Sequence, residues 1–490
     1  MTSSARHLGA GARIINDPVH GHVALPQHCW DAVDTPQFQR LRDLRQLGAS
    51  YYVFPGASHN RFEHSLGVSF LAAEMLQGLR ARQPGLEVSD RDVQLVQLAG
   101  LCHDIGHGPF SHAFEDWVHG LPGSAGSAVA SFKHESMSQR LVRNLVEEHA
   151  LDYDDRDLRF INSLIEGDSA AFPGRPFLYD IVSNQRNSID VDKFDYLARD
   201  GHNLGMKLSY DSSRLMAHSR IIDNQICFHS KEVFNVYEMF HARYSMFKQV
   251  YAHRVTKAIE YMIADAFSAA NPAFRITYAL DDVSRYARLT DSLLTQIEFS
   301  SLTDDPGVAR AQAIIRSIRR RRLYKFACES MIPHARWVHF ADRVRAADIV
   351  CCGSSNYGEL REDDIIVQNL RMNYAMGDRN PVDRVQFYNS SDFGSSFSIP
   401  PQEVSELIPK VYMEKYVRVY VRNPDHAAAA QAAFDVYAMR NGLQLSRSHQ
   451  KLVTPSPSPM PSLQQHQNPL YSDSHYAPGK RQRFLPPNSP

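Results

Sequence analysis

Gly100–His112 reads GLCHDIGHGPFSH. Just upstream, Val93, Leu95, Val96, Leu98, Leu101 and Cys102 recur at spacings that predict a buried helix running into His103. Gly106, Gly108 and Pro109 then break the pattern. His103 and Asp104 are therefore neighbours near a helix end. Their side chains point about 100° apart around the axis, so one metal ion beyond that end can sit between them. Imidazole and carboxylate together suit a borderline first-row metal, and open coordination positions admit water and phosphate. A His-Asp pair alone occurs by chance in many proteins. Here His107 follows at i+4, and His112 comes after the Gly-Pro break. His64 stands upstream in HNRFEHSLG (59–67) and Asp192 downstream in NSIDVDKFDYLARD (187–200). A single histidine is usually a core or surface residue; this set of four histidines and two carboxylates in glycine-punctuated segments points to a metal centre.

Working outward, Leu66, Phe70, Leu71 and Leu76 recur at helical spacing, as do Phe38, Leu41, Leu44 and Leu47. One long helix is predicted over Val233 to Phe267. Gly120 to Ser131 (GLPGSAGSAVAS) has the composition of a flexible loop. Beyond about Leu280 the pattern is mixed, and Asp364–Leu370 and Tyr416–Val421 read as short strands. The expected fold is mainly α: a helical core over 13–275, then a smaller α+β regulatory and oligomerisation lobe over 276–445. Residues 1–12 and the Ser-, Pro-, Gln- and His-rich tail 446–490 are expected to be disordered. Lysine and arginine number 53 against 54 acidic residues, so no global field draws in nucleic acid, and any anion site must be built locally. The six cysteines form no CxxC pair, the N-terminus has no signal-peptide run, and no window matches a membrane span. A protein with reduced thiols, nuclear or cytoplasmic and not secreted or membrane-bound, is expected.

The sequence resembles the vertebrate sterile-alpha-motif and HD-domain deoxynucleoside triphosphate triphosphohydrolases. The resemblance rests on NDPVHGH (16–22), DTPQFQRLR (34–42), QLGASYYVFPGASHNRFEHSLGV (46–68), the opening stretch, IVSNQRNSIDVDKFDYLARD (181–200), LTDSLL (289–294) and MNYAMGDRNPVDRVQFY (372–388). It covers roughly Arg13 to Gly442, without a counterpart of the family's sterile-alpha-motif domain. It implies hydrolysis of a dNTP at the α-phosphorus to deoxynucleoside and intact triphosphate. The metal is held at the positions of His64, His103, Asp104 and Asp192; zinc, iron or manganese all suit that donor set, with magnesium on the nucleotide phosphates. His112 matches the general acid, supported by His107, His134 and a carboxylate, here Glu115 where the family has aspartate. Arg61, Lys193, Tyr196 and Arg243 match triphosphate contacts, where cations offset phosphate charge. Gln46 and Asp200 match readers of the sugar 3′-hydroxyl, and Leu47 and Tyr251 match the crowding that excludes a 2′-hydroxyl, though core packing alone would explain those two. Phe247 and Ala252 replace a histidine and a glutamine of the family, which predicts an altered base preference or affinity.

The resemblance also implies regulation. Arg13, Ile14, Asn16, Asp34, Gln39 and Arg42 match a guanine-specific site for GTP or dGTP. Val53, Phe54, Arg214, Lys231 and Asn235 match a neighbouring dNTP site, and nucleotides at both assemble a homotetramer. His229 stands where the family has arginine, which weakens a phosphate contact unless the ring is protonated. The stretch from about Cys328 to Glu359, where the family carries a further phosphate-binding arginine, fits poorly. Arg319–Arg322 (RRRR) reads as a solvated helix face, or else as an anion or nucleic-acid patch. In the tail, Thr454, Ser456 and Ser458 each precede proline and suit a cyclin-dependent kinase, Lys480–Arg483 suits nuclear import, and Arg483-Phe484-Leu485 suits cyclin docking. Lower dNTP pools, antiviral restriction, innate immunity and roles in replication follow by family analogy alone. Two other readings stand beside this one. The first is an HD phosphohydrolase acting on nucleoside monophosphates or cyclic nucleotides, against which Arg61, Lys193 and Arg243 supply more cation than a monophosphate needs. The second is a nucleotide-gated oligomer that binds single-stranded nucleic acid, against which the net charge of −1 counts.

Overall fold

A computed structural model of the 490-residue chain describes residues 11–121, 132–337, 340, 344–353 and 360–445. The tail sites at Thr454, Ser456, Ser458 and 480–485, and most of the 120–131 loop, lie outside the described residues. The described residues form one compact unit.

The fold is mainly helical. Two antiparallel strands, β1 (Arg13–Asp17) and β2 (Gly21–Leu25), come first. The longer helices follow: α1 (Arg61–Arg82), α2 (Asp90–Cys102), α3 (His112–His119), α4 (His134–Glu148), α5 (Asp155–Glu166) and α6 (Val191–Leu204). Next come α7 (Val233–Met246), α8 (Arg254–Phe274), α9 (Pro306–Arg319) and α10 (Ala427–Arg440). One apolar cluster runs from Val23 through Leu76, Leu101, Leu141, Phe194 and Phe267 to Ile315, and takes in Tyr374 and Phe387 as well. A second cluster, built on Cys328, Ile365, Val417, Val419 and Phe434, lies under the later sheet. The two expected strands are longer than their sequence windows: Ile365–Asn373 and Met413–Val421 lie side by side, antiparallel, in a four-stranded sheet with Lys325–Ile332 and Gln444–Leu445. A second four-stranded sheet joins Ser219–Ile222 and Gln225–His229 to Gln386–Asn389 and Asp392–Phe397. No helix of the described residues is long and apolar enough to cross a membrane.

Two helical expectations are corrected. Phe38 and Leu41 are helical, but the helix stops at Asp43 and Leu44 is extended. The chain there pairs instead with the segment before α1: Gln46 N–H donates to His59 O (3.0 Å) and Arg61 N–H to Leu44 O (2.9 Å). The helix expected over Val233 to Phe267 breaks after a wide turn at Phe247–Tyr251, closed by Ala252 N–H on Phe247 O. His253 is extended, and Arg418 donates to the freed Ala252 carbonyl, so the break leaves no orphaned buried acceptor there.

Candidate functional site

Three helix ends meet at the His-Asp pair. Ser89 caps α2 in a reciprocal pair with Asp92, and His103 closes its C-terminus. Glu63 accepts from Asn60 N–H at the start of α1, one turn before His64. Asp190 caps α6 by accepting from Lys193 N–H, which sets Asp192, Tyr196 and Asp200 along one helix face at i, i+4 and i+8.

The result is a compact donor set. Asp192 Oδ1 lies 3.2 Å from His64 Nε2 and 3.4 Å from His103 Nε2. Asp104 places Oδ2 3.5 Å from His64 Nε2 and Oδ1 3.5 Å from His103 Nε2. Both Nε2 atoms are buried without a hydrogen-bond partner. Their Nδ1 atoms are occupied, His64's by Asp195 Oδ2 (2.7 Å) and His103's by Gly100 O (2.8 Å). A histidine that gives Nδ1–H to a fixed acceptor presents an Nε2 lone pair, the arrangement that metal-ligating imidazoles adopt. The orphaned Nε2 pair facing two carboxylates fits a divalent cation better than it fits a packed core, where such atoms are costly.

The charges follow from this geometry. Burial opposes charging of His64, yet Asp104, Asp192 and Asp195 raise it well above the ordinary histidine range; His103 is raised against the same opposition by Asp104 and Asp192. Burial likewise opposes ionisation of Asp104 and Asp192, but Arg61 with His103 holds the first well below the carboxylate range, and His103 with His64 lowers the second. Below their raised values the two histidines bind protons, which a metal ion must displace. Metal affinity is therefore expected to fall with pH, by about tenfold per unit for each proton displaced. Dialysis against a metal buffer at pH 6 and pH 8 checks this; equal occupancy at both would contradict it.

Beside the centre stands a second histidine group. His107 and His134 stack with centroids 4.0 Å apart, and His112 meets them edge-on at 5.2 and 5.8 Å. Glu115 accepts from His134 Nδ1 at 2.8 Å, so the longer carboxylate still reaches the ring. Desolvation, then Arg61 and His134, push His112 down to about 4, although the residue keeps exposed surface. The triphosphate-type residues split. Arg61 is ion-paired to Asp104 and donates to Ser111 Oγ (2.9 Å), while Lys193 pairs with Asp190 (3.0 Å) close to Tyr196 and Arg243. Tyr251 donates to Asp200 Oδ2 (2.6 Å), Gln46 Oε1 is buried without a partner, and Leu47 packs on the main core. Phe247 packs edge-on against Tyr251 and joins a small cluster with Ala252, Leu370 and Met372.

The remaining predicted positions lie elsewhere. Arg13 pairs with Asp34 (2.9 Å), Arg42 donates to Gln39 (2.7 Å), Ile14 is exposed and Asn16 is in β1. Arg214 and Asn235 converge on Glu232, Lys231 N–H donates to His229 Nδ1, and Phe54, next in sequence to Val53, meets the His253 ring edge-on. Burial, then Lys231 and His218, lower His229, which leaves it uncharged at neutral pH. Arg319 pairs with Glu298 (2.8 Å) at the end of α9.

Several residues went unread in the sequence. Asp195 fixes His64. Arg40, buried, donates to the carbonyls of Ile105 (3.0 Å), His107 (2.6 Å) and Leu289 (2.7 Å), which holds the turn between His103 and His112. His59 binds Asp200. Asp195 alone left a signal, as the next carboxylate after Asp192 in NSIDVDKFDYLARD.

Residues 61–200 match the HD domain and residues 210–367 the HD associated region. A deoxynucleoside triphosphate triphosphohydrolase SAMHD1 homolog of Dictyostelium discoideum is 47% identical over 86% of this chain and 80% of its own length. The human deoxynucleoside triphosphate triphosphohydrolase SAMHD1 is 39% identical over 84% of this chain and 71% of its own. A putative HD domain-containing protein of Acanthamoeba polyphaga mimivirus is 29% identical over 87% and 95%.

Proposed function

The chain belongs to the SAMHD1 family of HD-domain proteins, and from that premise we propose that it is a metal-dependent dNTP triphosphohydrolase, gated by GTP or dGTP, that lowers dNTP pools. The observation that carries the reading is the pair of orphaned Nε2 atoms on His64 and His103, facing Asp104 and Asp192 beside a row of cations. His64, His103, Asp104 and Asp192 would hold a divalent ion, which would supply Lewis acidity and acidify water toward neutral pH.

The chain's own groups do the rest. Arg61, Lys193 and Arg243 gather the triphosphate and offset charge that grows on its oxygens. Arg61 then exchanges part of its pairing with Asp104 for phosphate. His112 hands a proton to the leaving 5′ oxygen. An imidazole held down at about 4 is a strong acid once protonated, and a bound polyanion favours that protonated form. Glu115 and His134 orient the stacked His107. Asp200 and Gln46 read the 3′-hydroxyl, and Leu47 with Tyr251 crowds a 2′-hydroxyl. Regulation rests on GTP or dGTP at Arg13, Ile14, Asn16, Asp34, Gln39 and Arg42, and on a dNTP at Val53, Phe54, Arg214, Lys231 and Asn235, which together drive a homotetramer.

Incubation with dATP and magnesium, with and without GTP, tests the reaction and its gate together. The expected product is intact triphosphate, formed only with GTP, together with a shift to tetramer in sedimentation. Orthophosphate or pyrophosphate would refute the reaction, and equal turnover without GTP would refute the gate.

A further inference from the structure

His59 touches both residues that the proposed reading gives to the sugar. Its Nε2 lies 2.7 Å from Asp200 Oδ1, and its backbone carbonyl accepts from Gln46 N–H at 3.0 Å. Asp200 is buried, with its second oxygen taken by the Tyr251 hydroxyl at 2.6 Å. The carboxylate is thus clamped from two sides, by a ring from the segment before α1 and a phenol from the wide turn after α7. A carboxylate free to rotate about its χ angles loses entropy on meeting a hydroxyl, whereas a clamped one has already lost it. His59 is itself buried, and its Nδ1 has no partner, so the ring is held chiefly through Nε2. Two residues on, Arg61 carries the same segment to Asp104 and the metal centre. One stretch of three residues therefore reaches both the groups that the proposed reading gives to the sugar and the metal centre.

We propose that His59 is a positioning residue that sets selectivity for a sugar 3′-hydroxyl, by holding the Asp200 carboxylate and the Gln46 backbone in register. The inference rests on the dNTP reading above. It predicts discrimination between 2′-deoxy and 2′,3′-dideoxy nucleotides that depends on a residue which need not touch either.

The test uses the full chain with GTP present and takes the ratio of kcat/KM for dATP over 2′,3′-dideoxy-ATP. A ratio measured on one preparation does not depend on how much of that preparation is folded. His59→Leu is expected to lower this ratio at least about tenfold, through KM for dATP and not kcat, with dideoxy turnover within about twofold of wild type. His59→Gln, whose amide can donate where Nε2 does, is expected to keep the ratio within about threefold. Should His59→Leu fail to fold, His59→Asn, too short to reach Asp200, replaces it with the same expectation. Asp200→Asn runs in parallel. If Asp200→Asn collapses the ratio and the His59 variants do not, the positioning role is overturned and the sugar assignment stands. If neither moves the ratio, or wild type does not discriminate, the sugar assignment fails and takes this inference with it.

Discussion

Asp192→Ala is expected to remove at least about a thousandfold of turnover and to leave the chain with less than one bound metal ion. The size follows from what the centre supplies: Lewis-acid stabilisation is worth several kcal/mol, and each 1.36 kcal/mol is about a factor of ten. Asp192 is the informative ligand because its Oδ1 lies within 3.4 Å of both orphaned nitrogens, whereas Asp104 reaches them with separate oxygens at 3.5 Å. It is also the ligand whose loss disturbs the fold least. Its side chain keeps 28% exposure in the first turn of α6, whereas His64 is fully buried and also bonds Asp195. A loss of activity with an unchanged unfolding transition therefore reports on the centre and not on folding. Metal analysis and turnover on the same sample decide it: one ion retained per chain, or a loss below tenfold, would show that these four residues are not the metal centre.

What the sequence made legible divides along a physical line. His103 with Asp104 could be read because both lie on one short segment whose breakers set their geometry. Asp192 and His64 could be read because each sits in a distinctive run. The supporting residues could not. Arg40 meets only backbone carbonyls, and no side-chain pattern marks a carbonyl as needing a cation. His59 meets Asp200 across 141 residues, a pairing that periodicity does not encode. The helices over α1 and α2 were legible because apolar spacing alone decides a buried helix. The break after Phe247 was not, since Phe247–Ala252 contains neither glycine nor proline, and the partner that satisfies Ala252 O is Arg418, on a distant strand. Charge patterning explains the remaining shortfall. The RRRR run reads as a solvated helix face or else as an anion patch, and its first member, Arg319, pairs with Glu298.

Arg199→Met is expected to destabilise the chain by about 3–5 kcal/mol, the cost of leaving buried carboxylates without their cation. Arg199 has no exposed surface. Its Nε and one terminal nitrogen bind Asp195 at 2.9 and 2.8 Å, and the other reaches Asp17 at 2.8 Å. The contact is close because residue 67 is glycine: a Cβ there would lie 1.8 Å from Asp195 Oδ1. Asp195 in turn accepts from His64 Nδ1 and His20 Nε2, so the cation also steadies a metal ligand. Burial favours a neutral Asp195, but Arg199, with His20 and His64, holds it well below the carboxylate range. A depressed folded value stabilises the fold at pH above about 4, the unfolded value, and this contribution fades as pH falls through the folded value. In the variant the uncompensated carboxylate rises above its unfolded value, so the variant loses stability as pH rises past about 4. The gap between wild type and variant should therefore widen between pH 4.5 and pH 7.5. Denaturant unfolding at the two pH values measures it, and metal affinity should drop about 10- to 100-fold through the loosened His64 ring. A loss under about 1 kcal/mol, or a gap that stays constant with pH, would mean that Asp195 finds its compensation elsewhere and that the His64 orientation does not depend on this triad.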